Sequence, residues 1–399
     1  MKILWAKSDF LHPTERGGQI RTLETLRRLH RDHQLHYIAY DDPARPEGMA
    51  RASEYCSAAY PIVHHVPPRR SLAFVRQAVS NLATSLPLSI ARYRSAQMRD
   101  AIARLMAQHR YDAVVCDFLA MAPNFADLSQ CILFQHNVEY TIWQRHAQHA
   151  TDPLRRLYFQ SQFRRTLAYE RASCLAAAHI IAVSGVDRDL MTSQFGVGDS
   201  RISVVPTGVD VDYFAPPPTA PPVADLVFVG AMDWMPNIDG IDFFVSQVLP
   251  LIRRRLPRCS LVIAGRSPGP AITALAAADP LIQVTGTVPD VRPYIWGSKV
   301  AIVPLRIGGG TRLKIYEAMA AGIPVVSTTV GAEGLDVDEG VNIFRADDAQ
   351  SFANRCLQLL EDPALHARLG SGARTQAARF SWDSIAQHFE SILEKASPR

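Results

Sequence analysis

Short runs rich in β-branched and aliphatic residues alternate with stretches of helical period along the entire chain. In the first half, segments 3–6, 35–40, 61–66, 113–117, 131–135 and 179–183 read as strands. In the second half, segments 225–230, 260–264, 281–285, 299–303, 324–328 and 341–345 do so. Helical spacing is plain at 16–30, in an arginine-rich stretch from Arg155 to Arg171, and at 380–396. Alternation of this kind predicts an α/β protein of parallel sheets wound with helices. The segment APPPTAPP at 215–222 interrupts it. Prolines at that density cannot hold a helix or a central strand. The reading is therefore a stiff linker, 213–222, between one domain at 1–212 and a second at 223–379.

Composition supports two domains of ordinary size: 399 residues, of which 48% are hydrophobic and 20% charged, a balance that argues against long disorder. The six cysteines are scattered without Cys-x-x-Cys spacing. That predicts reduced, mostly buried thiols in a cytoplasmic protein, not a disulfide frame or zinc site. The opening MKILWAKSDF is broken by Lys7 and Asp9 and reads as a first strand, not a signal peptide. No apolar run is long enough to span a bilayer.

Charge changes the picture of the first half. Residues 1–200 hold 24 Lys and Arg against 18 Asp and Glu, and the remainder holds 18 against 20. Between 69 and 110, Arg69, Arg70, Arg76, Arg92, Arg94, Arg99, Arg104 and Arg110 oppose only Asp100. Apolar residues such as Leu72, Phe74, Val75, Val79 and Leu82 are interleaved with them. Basic helices with apolar faces dock on anionic lipid heads, and a solvated face over a core face gives the same pattern. No nucleic-acid motif accompanies the charge.

The most informative chemistry is GGGTRLKIYEAMAAGIPVV at 308–326. Gly308, Gly309 and Gly310 open a helix and let backbone amides approach an anion, with Thr311 beside them. Arg312 and Lys314 add positive charge, and Glu317 shares a helix face with Lys314. Gly322 suits the helix end and Pro324 stops it. Such a device can hold a diphosphate through its cations and a pair of hydroxyls through its carboxylate. Nearer the start, Gly17 and Gly18 begin the helix after the first strand, with Arg21 one turn in. Their amides face a ligand or simply make the turn. In FQHNVEY (134–140), His136, Asn137 and Glu139 follow a buried strand, at the end where open α/β sheets place ligands.

The 308–326 stretch resembles the donor-site signature of the retaining sugar-nucleotide transferases of glycosyltransferase family 4. PTGVDVDYF (206–214), VSGVDRDLM (183–191) and VTGTVPDVRPYIWGSKVAIVPL (284–305) are similar to further family segments in the same order. The resemblance implies a GT-B architecture: two Rossmann-like doubly wound domains facing a cleft, with the terminal helix 380–399 returning to the first domain and Trp382 as anchor. It implies that Glu317 binds the ribose, that His136 contacts the donor sugar, and that the glycine loop at 17–18 faces the donor, with Arg21 one turn in reaching its phosphates. Asn137 and Glu139 would hold the acceptor. The chain departs from the family at Gly309, where a first glutamate is usual, and in FVGAMDWMPNIDG (228–240), where Ala231 and Asp239 stand in place of cations. Arg312 and Lys314 would then carry the diphosphate.

The implied activity is hexosyl transfer from a nucleotide diphosphate sugar to a glycan or lipid-linked acceptor in bacterial polysaccharide synthesis. The implied protein is cytoplasmic, peripheral at the inner face of the plasma membrane, with no cofactor or metal. Asp-x-Asp pairs at 187–189, 210–212 and 336–338 match a metal-binding pattern that chance also produces among 38 acids. Two other readings share the fold: a sugar-nucleotide 2-epimerase, which needs no acceptor, and a silent binding module.

Overall fold

The computed structural model describes residues 1–14, 17–64, 66–67, 71–81, 83–150, 152–307 and 313–396. The chain divides into two compact units, Met1–Pro206 with Trp382–Arg399, and Thr207–Ser381.

The first unit is built on seven parallel strands: β1 (Lys2–Lys7), β2 (Gln34–Asp41), β3 (Ala58–Val63), β4 (Ala113–Asp117), β5 (Ile132–Phe134), β6 (His179–Ala182) and β7 (Ile202–Val204). Their order is β3-β2-β1-β4-β5-β6-β7. The order reverses between β1 and β4, which pair in register from Ile3↔Ala113 to Ala6↔Cys116. Helices cover the sheet, so the central strands are buried throughout, as both-face burial requires.

The second unit has six parallel strands: β8 (Ala224–Val229), β9 (Leu261–Ala264), β10 (Ile282–Gly286), β11 (Ser298–Val303), β12 (Val325–Ser327) and β13 (Phe344–Arg345). Their order is β10-β9-β8-β11-β12-β13, with the reversal between β8 and β11. Each unit is thus a Rossmann-like doubly wound sheet.

Every expected strand exists; β3 is shifted, β13 shrinks from 341–345 to Phe344–Arg345, and β7 lies where no strand was expected. β3 lies at Ala58–Val63 instead of 61–66, because two alanines at its start carry little β-signal. Pro61 is tolerated there because β3 is an edge strand. β7 is only three residues long and went unread.

The expected division after 212 moves to Pro206/Thr207. The segment 207–214 is fastened to the second unit: Val209 bridges Ser381, Tyr213 stacks under the Arg292 guanidinium at 3.7 Å, and the Phe214 carbonyl accepts from Trp296 Nε1 at 2.8 Å. APPPTAPP therefore leads into β8 within one unit and does not join the two.

The terminal helix Trp382–Ala396 belongs to the first unit, as the resemblance implied, and Trp382 is buried. Phe389 makes the aromatic contact to the sheet core, 5.4 Å from Trp5 and 5.1 Å from Phe134 between ring centres. All six cysteines are buried free thiols.

Candidate functional site

In the first unit, polar side chains gather where the strand order reverses. Lys7 closes β1, Asp117 closes β4 and His136 follows β5. Asp117 is fully buried and takes three hydrogen bonds and one ion pair. Lys7 Nζ lies at 3.0 Å and His136 Nε2 at 2.8 Å on Oδ1; Trp5 Nε1 lies at 2.9 Å and Thr22 Oγ1 at 2.7 Å on Oδ2. Burial alone would raise the Asp117 carboxyl. The Lys7 ammonium and the His136 bond outweigh it and hold the group well below the usual carboxylate range.

Burial lowers the His136 imidazole to about 3 against the opposing pull of Asp117, so the ring is neutral. Nε2 faces Asp117, and Nδ1 lies 3.3 Å from Arg21 Nη1. These partners place the proton on Nε2 and leave Nδ1 accepting. Arg21 is buried and lowered to about 10 by that burial. In this structure it is a partner of His136, not an exposed cation.

Phe118 lies face to face on His136, with ring centres 3.9 Å apart. Its φ is positive, +76° with ψ 144°, a sparsely populated backbone region that costs a side-chain-bearing residue about 1–3 kcal/mol. Gly18 makes room for it: a Cβ there would stand 2.9 Å from Phe118 Cζ and 3.6 Å from His136 Nδ1. In front of Phe118 opens a cavity of about 680 Å³, whose polar lining includes Lys7, Asp9, Gln19 and Glu139 and whose aromatic wall includes Trp143 and Phe159.

Glu139 starts the helix Glu139–His149, and Glu170 of the helix Pro153–Ala176 accepts from the amides of Glu139 (2.9 Å) and Tyr140 (3.0 Å). Burial raises the Glu139 carboxyl to about 7. Burial, and then the Glu139 charge, raise Glu170 to about 8.

Of the expected residues, Gly18 and Glu139 line the cavity, while Arg21 and His136 belong to the buried network. Gly17 is the exposed first residue of its helix. Asn137 Oδ1 is enclosed without a hydrogen-bond partner among the described residues, and Asn137 does not line the cavity.

In the second unit, three strand-end loops meet. Gly230 follows β8, and a Cβ on it would fall 2.6 Å from Lys314 Nζ and 2.7 Å from Asn237 Nδ2. Gly265 follows β9, and a Cβ on it would fall 1.8 Å from the Gly230 carbonyl oxygen. Lys314, in the helix Leu313–Ala320, donates to Asn237 Oδ1 at 3.0 Å and lies 4.2 Å from the centre of the Phe228 ring. Glu317 is half-buried one turn further on; burial raises its carboxyl to about 7, with Lys314 opposing.

Beside this cluster, Arg266 Nη1 stands 3.4 Å from Asp233 Oδ2, and Ser267 is left-handed, φ +54°. Asp239, which replaces an expected cation, pairs with Arg306 through two bonds of 3.0 and 2.6 Å. Gly308, Gly309, Gly310, Thr311 and Arg312 lie outside the described residues, as do Arg69, Arg70 and Leu82.

The Asp-x-Asp aspartates have local roles: Asp187 accepts from Ser184 Oγ at 2.6 Å, Asp189 pairs with Arg188, and Asp210 accepts from the Tyr213 amide. Sequence reasoning missed Lys7, Thr22, Asp117, Asn237 and Arg266. A signal existed for two of them, since Lys7 and Asp117 are charged residues closing otherwise apolar strands.

Comparison with known proteins follows this geometry. The model of Glycosyltransferase Family 4 matches residues 16–213, and that of Glycosyl transferases group 1 matches residues 224–362. An uncharacterized 44.6 kDa protein of the cps region of Klebsiella pneumoniae is 20% identical over 89% of this chain and 90% of its own. D-inositol 3-phosphate glycosyltransferase 1 of Catenulispora acidiphila is 23% identical over 58% of this chain and 60% of its own, so the match spans less than two thirds of that relative.

Among solved structures, a sucrose-phosphate synthase from Thermosynechococcus elongatus superposes with TM-score 0.73 at 18% identity, covering 99% of this chain and 98% of that one. Anabaena HepE in complex with UDP superposes with TM-score 0.66 at 16% identity, covering 99% and 100%. At these identities what is shared is the fold.

Proposed function

Since this chain belongs to the family 4 glycosyltransferases of GT-B fold, we propose that it moves a hexosyl group from a nucleotide diphosphate sugar to a glycan or lipid-linked acceptor in bacterial polysaccharide synthesis. The anomeric configuration is retained and no metal is required. The observation that carries this reading is the convergence of Gly230, Gly265 and the Lys314 ammonium at the carboxyl ends of β8 and β9, with Glu317 one helical turn beyond Lys314. Backbone stripped of side chains, one ammonium and one hydroxyl-binding carboxylate are what a nucleotide diphosphate needs.

In this reading Lys314, with Arg312 and the amides of Gly308–Gly310, complements the charge that grows on the leaving diphosphate. Such stabilisation contributes ~3–4 kcal/mol per key donor. Glu317 accepts from the ribose hydroxyls. The bond from the anomeric carbon to the phosphate oxygen breaks, and the acceptor oxygen bonds to that carbon on the same face. The acceptor proton passes to the departing phosphate.

His136, whose neutral ring lies next to Gly18, is assigned with Gly17 and Gly18 to the donor sugar. Arg21 supports that ring. The acceptor is assigned to the cavity in front of Phe118, with Glu139 as hydroxyl partner; Asn137, which does not line that cavity, would reach an acceptor only after rearrangement. The relative from a cps region and the UDP-bound neighbour support a surface-glycan role and a nucleotide donor.

A thermal-shift screen with UDP, GDP, ADP, dTDP and their sugars, repeated on Glu317→Ala and after chelation, tests this. A ligand at a hundred times its dissociation constant adds ~2.7 kcal/mol to the folded state. A selective shift that survives chelation and is lost in the variant is expected. No shift with any nucleotide would leave a silent binding module, and donor turnover without acceptor would indicate an epimerase.

A further inference from the structure

The cavity in front of Phe118 is chemically uneven. Asp9 follows β1 and Glu139 follows β5, so its carboxyls stand beside the strand ends. Another part of its wall comes from Phe74 and from Leu88 to Tyr93, and residues 71–99 include no acid. Carboxyls and the faces of Trp143 and Phe159 suit the hydroxyls and the ring of a sugar. The acid-free wall suits a different group.

Three donors lining this cavity lack acceptors. Lys7 Nζ is enclosed between the Asp117 ion pair and the Phe118 face, 4.3 Å from the ring centre, with no hydrogen bond among the described residues. Ser89 Oγ and Arg92 Nε are likewise enclosed without a partner among the described residues. Stacking on Phe74 at 5.3 Å and a bond from Nη2 to the Pro67 carbonyl hold the Arg92 guanidinium in place. No carboxylate among the described residues pairs with it. Enclosing a guanidinium N–H and a hydroxyl without acceptors is unfavourable, and one oxyanion relieves both. Phosphate oxygens match the spacing of the guanidinium donors.

We propose that the cavity in front of Phe118 takes a phosphate-bearing acceptor, with the phosphate on Ser89 and Arg92 and the sugar toward Lys7, Asp9 and Glu139. That this ligand is an acceptor rests on the transferase reading; that it carries a phosphate rests on the cavity alone. Lys7, already neutralised by Asp117, donates to a hydroxyl in this arrangement. A free sugar phosphate and a phosphate-linked lipid share the chemistry that the wall recognises.

The test is titration calorimetry on the full chain with two sets of probes. Glucose 6-phosphate and glucose 1-phosphate are compared with glucose, and decyl phosphate is compared with decyl glucoside. The variants are Arg92→Met, Arg92→Lys and Ser89→Ala, with the exposed Arg155→Met as a control outside the cavity. Lys314→Ala is included to recognise any phosphate bound in the second unit. Melting temperatures and the nucleotide thermal shift are recorded on every sample.

At least one phosphate is expected to bind about tenfold tighter than its uncharged counterpart. That preference should survive Arg155→Met and Lys314→Ala, vanish in Arg92→Met, and persist in part in Arg92→Lys. Ser89→Ala should weaken it about threefold. If Arg92→Met melts early, Arg92→Lys and Ser89→Ala decide. No preference in wild type, or one unchanged in the Arg92 and Ser89 variants, overturns the phosphate site. A preference lost in Lys314→Ala places the phosphate in the second unit and also overturns it. Preference for the glucose phosphates alone identifies a free sugar phosphate, and preference for decyl phosphate alone a phosphate-linked lipid. A nucleotide shift without phosphate preference leaves the transferase reading with an uncharged acceptor. Phosphate preference without any nucleotide shift keeps the site and removes its acceptor role.

Discussion

The two strand-end clusters solve opposite problems. In the first unit, a buried carboxylate is held by three side-chain hydrogen bonds and the Lys7 ion pair, from β1, the helix Gly17–Leu29 and the segment after β5. Its geometry is fixed by side chains bonding to one another. In the second unit, the corresponding place is shaped by what is missing. Gly230 and Gly265 lack side chains, so two loops and the Lys314 ammonium come within contact distance of one another. A saturated network resists change and holds a wall in place. A glycine-lined approach gives a ligand access to backbone amides and a cation. In the proposed reading the first cluster positions and the second binds phosphate.

The comparison predicts unequal responses to substitution. The largest effect is expected at Asp117. Asp117→Ala leaves Lys7 buried without its counter-charge and His136, Trp5 and Thr22 without their acceptor, a change that costs about 3–5 kcal/mol. Urea unfolding measures it, and a loss below about 1 kcal/mol would show that the network is not holding the unit together.

Next comes Gly265→Ala, which pushes a methyl group into the Gly230 carbonyl. Neither backbone can give way freely, so a loss of about 1–3 kcal/mol is expected. Gly269→Ala serves as the control, since its Cβ meets nothing within 4 Å; a change within about 0.5 kcal/mol is expected there.

Gly230→Ala is milder for the fold, because the atoms it meets include the flexible end of Lys314. Displacing that ammonium should weaken nucleoside diphosphate binding about tenfold, or ~1.4 kcal/mol by titration calorimetry. Equal affinity in wild type and variant would argue that Lys314 does not touch the phosphates.

A further expected effect is a pH dependence. Glu139 stands at about 7 in the folded chain against an ordinary value of 4.5. The folded state therefore binds more protons than the unfolded state between those values, and stability falls as pH rises from about 4.5 through about 7. His136 acts in the other direction. Lowered to about 3 from 6.5, it lets the unfolded state bind more protons, so stability falls as pH drops from 6.5 toward 3. Glu139→Gln should flatten the loss on the alkaline side and leave the acid side unchanged. An unaltered alkaline slope would show that Glu139 does not carry its proton in the folded chain.

The clusters also differ in how far the sequence reveals them. In the second unit the expectation rests on local spacing around Lys314 and Glu317, with Gly308–Gly310 outside the described residues, while Gly230, Gly265 and Asn237 lie far off in sequence. The doubly wound sheets were legible for a similar reason, because each buried strand is a continuous apolar run. The Asp117 network was not legible as a network. Lys7, Thr22, Asp117 and His136 are separated by up to 129 positions, and only the reversal of strand order between β1 and β4 brings them together. Reading His136 from its polar neighbours found one member and missed the carboxylate that orients it.

The linker reading failed through context. Proline density correctly excluded helix and central strand from 215–222, but the anchoring of Tyr213 and Phe214 to Arg292 and Trp296 is a tertiary fact with no local signature.

In the proposed mechanism the second unit binds the nucleotide and the first positions the reaction. That division is tested most directly by calorimetric titration of the nucleoside diphosphate selected by the thermal-shift screen. The titration is run on wild type, Lys314→Ala and His136→Asn, with sugar transfer measured on the same samples. The account predicts at least about tenfold weaker binding in Lys314→Ala. In His136→Asn it predicts wild-type affinity with transfer reduced at least about tenfold. Wild-type affinity in Lys314→Ala, or loss of affinity in His136→Asn at an unchanged transfer rate per bound donor, would contradict it.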